Sequence, residues 1–235
     1  MENIKNSRGM VLTIAVALTA VLGCVIVPAA QGQTQEQKPG NPPRKYSMAE
    51  YNEYAEAVRP LDAAERIKQL DAFVAKHPDS PLLSYVYQDY YKAYEKTGNL
   101  PKVMEFAEKR LSIGSALTYQ NREPQERLET ALVWVHAYNR FHSDDMELAA
   151  KARGMVRAGL AIIATIKKPD YIYEGKIFAR AMIQAASYLN ATSAKAAMTV
   201  KDYKAVDESL EEIIRLTAFD LSDLSPAPTE TMTPQ

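Results

Sequence analysis

Apolar side chains recur along the chain at helical spacing, in segments that prolines separate. Proline inside a helix costs about 3 kcal/mol, so the stretches between prolines are the predicted elements. In "LDAAERIKQLDAFVAK" (61–76) apolar residues recur every three or four positions, which is typical of an amphipathic helix. The predicted apolar stripes are Ala64, Ile67, Leu70, Phe73 and Val74; Val103, Phe106, Ala107, Arg110 and Leu111; Leu128, Ala131, Leu132, Val135 and Tyr138; Leu148, Ala152, Met155, Val156, Leu160, Ile163 and Ile166; and Val206, Leu210, Ile213, Ile214 and Leu216.

These stripes predict an all-α fold. The sequence has no alternating run of β-branched residues between turn dipeptides, so we expect no strands. Short connections between the helices predict about four antiparallel helix pairs. The predicted helices lie near 48–58, 61–76, 82–97, 100–113, 124–142, 144–167, 172–197 and 201–218.

Helix ends and close contacts also have sequence signals. Asp144 with Glu147 has the spacing of a capping box, and Thr199 with Asp202 has a weaker form of it. Glycines 154 and 159 lie inside an apolar helix, which predicts a close approach of two helices there.

Three segments resemble the tetratricopeptide repeat family. "AYEKTGNLPKVMEFAEKRL" (93–111) has a tyrosine at the end of a first helix, Gly-Asn in the turn and then a second helix. "FVAKHPDSPLLSYVY" (73–87) resembles the junction in exported members, and "VKDYKAVDESLEEIIRL" (200–216) resembles another turn and second helix. The repeats are degenerate: Tyr91 replaces a small residue and Val103 replaces an alanine. The resemblance implies a right-handed α-solenoid of about four antiparallel helix pairs.

The stretch "YVYQDYYKAYEKTGN" (85–99) is rich in tyrosine, and helical spacing divides it into two faces. Tyr87, Tyr90, Tyr91 and Tyr94 share the face predicted to meet neighbouring helices, with their hydroxyl groups reaching the rim. The opposite face carries Tyr85, Gln88, Lys92 and Glu95, which the resemblance places in the groove where partner peptides bind. Tyr85 also fits an ordinary surface tyrosine.

The N-terminus predicts export. Lys5 and Arg8 precede an apolar run, "MVLTIAVALTAVLGCVIV" (10–27), and small residues follow it, with a cleavage signal after Gly32. We favour a cleaved signal peptide over residues 1–32. The run is also long enough for an uncleaved membrane anchor, and "VLGC" allows lipidation at Cys24. All three alternatives place the rest of the chain outside the cytoplasm, in the periplasm or cell envelope.

Composition separates the folded region from its flanks. Residues 33–46 contain prolines, a glycine and few apolar side chains, which predicts a flexible linker. The end of the chain, "SPAPTETMTPQ" (225–235), has the same character. We therefore predict a helical domain over 47–219 and a Pro/Thr-rich tail over 220–235.

The sequence offers little catalytic or metal-binding chemistry. Its formal net charge of −1 shows no electrostatic signal for nucleic acid, and its one cysteine excludes an intramolecular disulfide. His77 and His142 are expected at helix ends and His136 in a buried polar contact. No motif of a zinc, phosphate-binding or hydrolase site is present in the sequence. We predict no catalytic residues, no metal, no cofactor and no enzyme activity.

The predicted function is a non-catalytic exported adaptor that binds a protein or peptide segment. One alternative is a carrier of a small molecule or lipid, held between helices by Trp134, Tyr138 and Met155. Another is an enzyme whose site forms only in three dimensions. Fold alone decides none of these, and the sequence leaves the partner and the oligomeric state open.

Overall fold

A computed structural model describes residues 46–113, 123–141, 144–168 and 175–222, with side chains up to residue 218. Several predictions lie outside these residues. They are the signal or anchor at 1–32 with Cys24, the linker up to residue 45, His142, and the tail beyond residue 222.

The described residues form helices and no strands, so the prediction of an all-α fold is confirmed. The helix bounds lie within four residues of those that the sequence predicts. The helices are α1 (Met48–Val58), α2 (Ala63–Lys76), α3 (Leu83–Thr97), α4 (Leu100–Ile113), α5 (Glu123–Arg140), α6 (Met146–Thr165), α7 (Gly175–Thr199) and α8 (Tyr203–Ser222).

The chain divides into two compact units. The described part of the N-terminal unit contains α1 to α5, and that of the C-terminal unit contains α6 to α8. In the N-terminal unit each helix packs against the next. Between α4 and α5, a late residue of one helix contacts an early residue of the next, as in antiparallel pairs: a guanidinium nitrogen of Arg110 lies 3.3 Å from Oε2 of Glu126.

The N-terminal unit has a core of large side chains. Tyr90 and Tyr91 are only 2% and 1% exposed, which confirms their predicted place inside. Tyr87 and Tyr94 are half-buried, and Tyr90 and Tyr94 stack on Phe106 with ring centroids 4.2 and 5.5 Å away. The other large buried residues include Leu70, Phe73, Leu82, Leu83, Val86, Leu128, Trp134, Val135 and Tyr138.

The Gly-Asn turn between α3 and α4 forms where the sequence predicts it. Gly98 adopts a left-handed backbone with φ of 75°, a conformation that glycine reaches without steric cost. Its N–H donates to the carbonyl oxygen of Glu95 at 3.1 Å, and the N–H of Asn99 donates to that of Tyr94 at 3.0 Å. Oδ1 of Asn99 then accepts from the N–H of Lys102 at 3.3 Å, so this turn ends one helix and begins the next.

A charged side chain is buried within the described part of the N-terminal unit. Arg110 was predicted within an apolar stripe, and it is 5% exposed. Its guanidinium donates to Oγ1 of Thr130 at 2.5 Å and lies 3.3 Å from Oε2 of Glu126 on α5. It also donates to the Tyr91 hydroxyl on α3 at 3.4 Å. The charge is thus compensated by partners on α3 and α5, as a buried ion requires.

In the C-terminal unit, small residues allow α6 and α7 to approach closely. A Cβ atom at Gly159 would lie 2.9 Å from Cδ1 of Leu189, which confirms the predicted close approach at this glycine. At Gly154 a Cβ atom would meet nothing within 4 Å, so that prediction was wrong. The buried residues of these two helices are mostly alanines: Ala149, Ala152, Ala181, Ala185, Ala186, Ala194, Ala196 and Ala197.

Both predicted caps in the C-terminal unit need correction. The N-cap of α6 is Asp145 and not Asp144: its side chain accepts from the N–H of Glu147 at 2.8 Å and of Leu148 at 3.2 Å. The residue that caps α8 is Asp202, which accepts from the N–H of Ala205 at 3.2 Å. A short carboxylate directly before the helix reaches these orphan donors better than a residue farther back.

The apolar stripe predicted on α8 is only partly covered. Leu210 is 46% exposed and Ile214 is 69% exposed, so these two predicted core positions were wrong. Val206, Ile213 and Leu216 are half-buried. On α2, Ala64 is exposed as well. Helical spacing alone cannot tell which side of an apolar stripe a neighbouring helix will cover.

Candidate functional site

The four predicted groove residues lie on α3 within the N-terminal unit. Tyr85 and Gln88 are half-buried, and Lys92 and Glu95 are exposed. Their spacing of three, four and three residues places them along one side of the helix. The structure therefore keeps them together on one accessible surface of α3.

Helix α1 borders this surface at the Tyr85 end. The hydroxyl of Tyr54 on α1 donates a hydrogen bond of 2.6 Å to Oδ2 of Asp89 on α3. Burial, followed by the nearby charge of Asp89, raises the pKa of Tyr54. Tyr85 lies one helical turn before Asp89 on α3, and its electrostatic influence also raises the pKa of Tyr54.

Asp89 was not among the predicted residues, although it lies between Gln88 and Lys92 in sequence. Burial raises the pKa of its carboxyl group above the ordinary value. The Tyr54 hydroxyl and the charge of Lys92 act in the opposite direction, because both favour the ionised form. The sequence signal was present: Asp89 follows Tyr85 by four residues, one turn of helix.

At the Glu95 end, the surface is within electrostatic range of a histidine on α5. The charge of Glu95 acts on His136 of α5, which is half-buried. Burial lowers the pKa of His136, and Arg140 lowers it further, while Glu95 raises it. The half-buried position agrees with the predicted burial of this histidine, and its predicted polar contact stays a prediction.

These residues define one surface, which we call the α3 face. Its residues come from three helices: Tyr54 of α1 bonds to Asp89 of α3, and the charge of Glu95 on α3 acts on His136 of α5. The residues of the α3 face are Tyr54, Tyr85, Gln88, Asp89, Lys92, Glu95 and His136.

A row of aromatic rings continues the α3 face along α1. The ring centroids of Tyr46 and Tyr51 are 5.9 Å apart and stacked, and those of Tyr51 and Tyr54 are 6.4 Å apart and tilted. Tyr54 also meets Phe73 edge-on at 5.9 Å, which joins the row to the core. All three tyrosines are half-buried, so the row combines ring contacts with access to solvent.

A second contact fixes α1 against the turn between α2 and α3. His77 is the C-cap of α2, as predicted, and its Nε2 lies 2.8 Å from Oε2 of Glu53. Hydrogen bonds from Lys76 and then His77 lower the pKa of Glu53. Glu50 accepts a short hydrogen bond from the Ser80 hydroxyl. These contacts position α1, and with it Tyr54, beside α3.

Another hydrogen bond between a tyrosine and an aspartate lies elsewhere in the unit. The hydroxyl of Tyr90 donates to Oδ1 of Asp71 on α2 at 2.5 Å, which matches the expectation that tyrosine hydroxyls reach a partner at the rim. The charge of Asp71 acts on Tyr94 and Lys102, so this pair belongs to the side of α3 that meets α4.

The residues of the carrier hypothesis are divided between the two units. Trp134 and Tyr138 are buried and stacked in the N-terminal unit, with centroids 5.8 Å apart. Nε1 of Trp134 donates to Oε1 of Glu108 at 2.9 Å. Met155 is half-buried and belongs to the C-terminal unit.

The described ranges contain neither a metal-binding cluster nor a membrane-spanning helix. There, no group of three or more His, Cys, Asp or Glu side chains is arranged to hold a metal ion. None of the described helices combines the length and the apolar character needed to cross a membrane.

No protein-family model, curated protein or solved structure matches this chain. The resemblance to the tetratricopeptide repeat stays a prediction that rests on the segments quoted above.

Proposed function

We propose that this protein is a non-catalytic, exported helical-repeat adaptor that binds a protein or peptide segment along the α3 face. The observation that carries the proposal is the meeting of three alternate helices at one accessible surface with a tyrosine, a carboxylate and a lysine. Mixed aromatic and charged surfaces of this kind suit peptide recognition, because rings supply contact area and charges supply register.

We also propose that α1 to α5 stack in the manner of tetratricopeptide repeats. Contacts between alternate helices support this arrangement. Tyr54 of α1 bonds to Asp89 of α3, and the guanidinium of Arg110 reaches both Tyr91 of α3 and Thr130 of α5. In such a stack the alternate helices line one side, which is the side where the α3 face lies.

The test of the adaptor proposal is a double variant, Tyr85→Ala with Lys92→Glu. It removes a ring and reverses a charge on the α3 face. The matched control is Tyr203→Ala with Lys204→Glu, the same chemical change on α8 at two exposed residues. Both variants and the parent chain are used to capture partners from an envelope extract, and bound proteins are identified by mass spectrometry.

We expect the control to retain the parent's specific partner and the α3 variant to lose it, with unchanged helical circular dichroism in both. A photo-crosslinking residue at position 88 should form an adduct with the same partner. Retention of that partner by the folded α3 variant would contradict the proposal.

Export is the second part of the proposal and rests on the sequence of residues 1–32. Mass spectrometry of the mature protein from an envelope fraction should find a new N-terminus at Gln33. An intact N-terminus would favour the membrane anchor, and a lipid on Cys24 would favour the lipoprotein. Recovery of the chain from the cytoplasm alone would contradict export.

A further inference from the structure

The Asp89 carboxylate on the α3 face has one oxygen engaged and one accessible. Oδ2 accepts the hydrogen bond from the Tyr54 hydroxyl at 2.6 Å. Within the described part of the chain Oδ1 accepts no hydrogen bond, and it is not among the atoms sealed from solvent. Tyr54 thus holds the carboxylate in place and leaves Oδ1 of this half-buried side chain with its capacity to accept a further hydrogen bond.

The cations that act on Asp89 are held by other groups or extend into solvent. Arg66 donates twice to the carbonyl oxygen of Pro60, at 2.9 and 2.7 Å, and Arg110 is bound on α5. Lys92 is exposed and forms no ion pair with Asp89 within 4.0 Å. Burial raises the pKa of Asp89 above its ordinary value, so the ionised carboxylate is stabilised by any further cation that approaches it.

Tyr54 contacts the same carboxylate, and two further tyrosines lie near Tyr54 or one helical turn from Asp89. Tyr54 bonds to it, Tyr51 lies 6.4 Å from Tyr54 between centroids, and Tyr85 is near enough to influence the Tyr54 hydroxyl. A cation over a tyrosine ring is attracted by the ring quadrupole, and the attraction grows as water is excluded. A carboxylate beside several tyrosines therefore suits a cation that also has an apolar stem, as lysine and arginine side chains have.

We propose that the Asp89 carboxylate, with the rings of Tyr54 and Tyr85 beside it, anchors a lysine or arginine side chain of the bound peptide segment. This inference rests on the proposed function and names the chemistry of the partner. The cation donates to Oδ1, and its stem lies against the tyrosine rings. Lys92, one turn farther along α3, then favours an acidic residue of the same segment on that side.

The experiment begins with a random peptide library displayed on phage and selected against the full chain. We expect the selected peptides to share a lysine or arginine at one position. In a synthetic peptide from this set, replacement of an arginine by citrulline, or of a lysine by acetyl-lysine, removes the charge and keeps the shape. Binding measured by calorimetry should weaken about tenfold or more, which corresponds to about 1.4 kcal/mol.

Two protein variants assign this loss to one carboxylate. Asp89→Asn keeps an oxygen that can accept from Tyr54 and removes the charge. Asp71→Asn is the matched control, because it makes the same change at the other tyrosine–aspartate hydrogen bond, with Tyr90. We expect Asp89→Asn to bind the charged peptide no better than the parent binds the neutral one. Asp71→Asn should bind as the parent does.

The outcomes separate this inference from the adaptor proposal. If peptides bind and Tyr85→Ala with Lys92→Glu abolishes binding, but the neutral peptide binds as well as the charged one, the cation anchor is wrong and the adaptor stands. If the parent chain selects no peptide, both are wrong. The comparison of charged and neutral peptides needs only the parent chain, so it decides the matter even if Asp89→Asn fails to fold.

Discussion

The two units of this protein fill their cores in different ways. The N-terminal unit packs aromatic rings and long aliphatic side chains, with Trp134, Tyr91 and Tyr138 fully buried. The C-terminal unit packs alanines and a glycine, so that α6 and α7 approach at Gly159 and Leu189. The N-terminal core depends on large side chains that fill it, and the C-terminal core depends on small residues that let two helices approach. Replacing a large core residue by a small one should therefore destabilise the N-terminal unit. Replacing a small core residue by a large one should destabilise the C-terminal unit.

The units also differ in polarity. The N-terminal unit buries the charge of Arg110 and carries the α3 face, where tyrosines and charged groups meet on rigid helices. Exposed large apolar side chains are more numerous in the described part of the C-terminal unit (Met146, Ile177, Met198, Tyr203, Leu210 and Ile214) than in that of the N-terminal unit (Met48, Leu61 and Ile113). Specific polar positioning is thus concentrated in the N-terminal unit, which is why the candidate site is placed there.

The largest effect is expected from Phe106→Ala in the N-terminal unit. The ring stacks on Tyr90 and Tyr94, and its loss leaves a cavity that the rigid neighbours cannot fill. Such a change costs about 3–5 kcal/mol of unfolding free energy. Urea unfolding followed by fluorescence of Trp134, the one tryptophan of the chain, measures the effect in this unit.

The control for Phe106→Ala is Leu61→Ala, at an exposed apolar side chain of the same unit. Exposed substitutions of this kind change stability by about 0.5 kcal/mol or less. Equal effects of the two variants would show that Phe106 does not contribute through core packing.

A slightly smaller loss is expected from Arg110→Met. The substitution keeps much of the side-chain length and removes the guanidinium that faces Glu126 and Thr130. Breaking a buried ion pair costs about 3 kcal/mol or more. A double-mutant cycle with Glu126→Gln measures the coupling, and urea midpoints of the four proteins provide it. A coupling near zero would mean that the ion pair adds nothing to the hydrogen bond with Thr130.

The helices and the main turn were predictable from the sequence, because periodic apolar residues, prolines and the Gly-Asn dipeptide act locally. Arg110 and the close approach at Gly159 also left local signals. The sequence has no local signal for which side of α8 is covered by other helices, since the exposure of Leu210 and Ile214 depends on which neighbours pack there. The hydrogen bond between Tyr54 and Asp89 joins residues 35 positions apart, so no local pattern could reveal it.

An intermediate loss of stability is expected in the C-terminal unit from Gly159→Leu, which adds side-chain volume to the core instead of removing it. A Cβ atom at this position already lies within 2.9 Å of Leu189, so a larger side chain must separate α6 from α7. Overpacking of a core typically costs about 1–3 kcal/mol. Hydrogen exchange in α6 and α7 should become faster. Unchanged exchange there would indicate that the two helices tolerate volume, contrary to the contrast between the cores.

Substitution of the other glycine on α6, Gly154, should increase stability instead of lowering it. A Cβ atom at Gly154 meets no atom within 4 Å, so Gly154→Ala introduces no clash. Alanine restricts the unfolded chain and favours a helix over glycine by about 0.5–1 kcal/mol. Hydrogen exchange in α6 should become slower by a corresponding factor. Faster exchange would show that this position is packed more tightly than its surroundings indicate.

The smallest effect on stability is expected from a change of pH, which alters the protonation of His136 in the N-terminal unit. Burial lowers its pKa in the folded state, so the unfolded chain binds the proton more readily. Stability from this residue is therefore complete above the unfolded pKa of about 6.5 and falls as the pH drops below it. The variant His136→Gln removes the titration and should lose less stability than the parent between about pH 7.5 and pH 5.5. Urea unfolding monitored at Trp134 measures both proteins at each pH, and equal losses would assign the acid sensitivity of this unit to other groups.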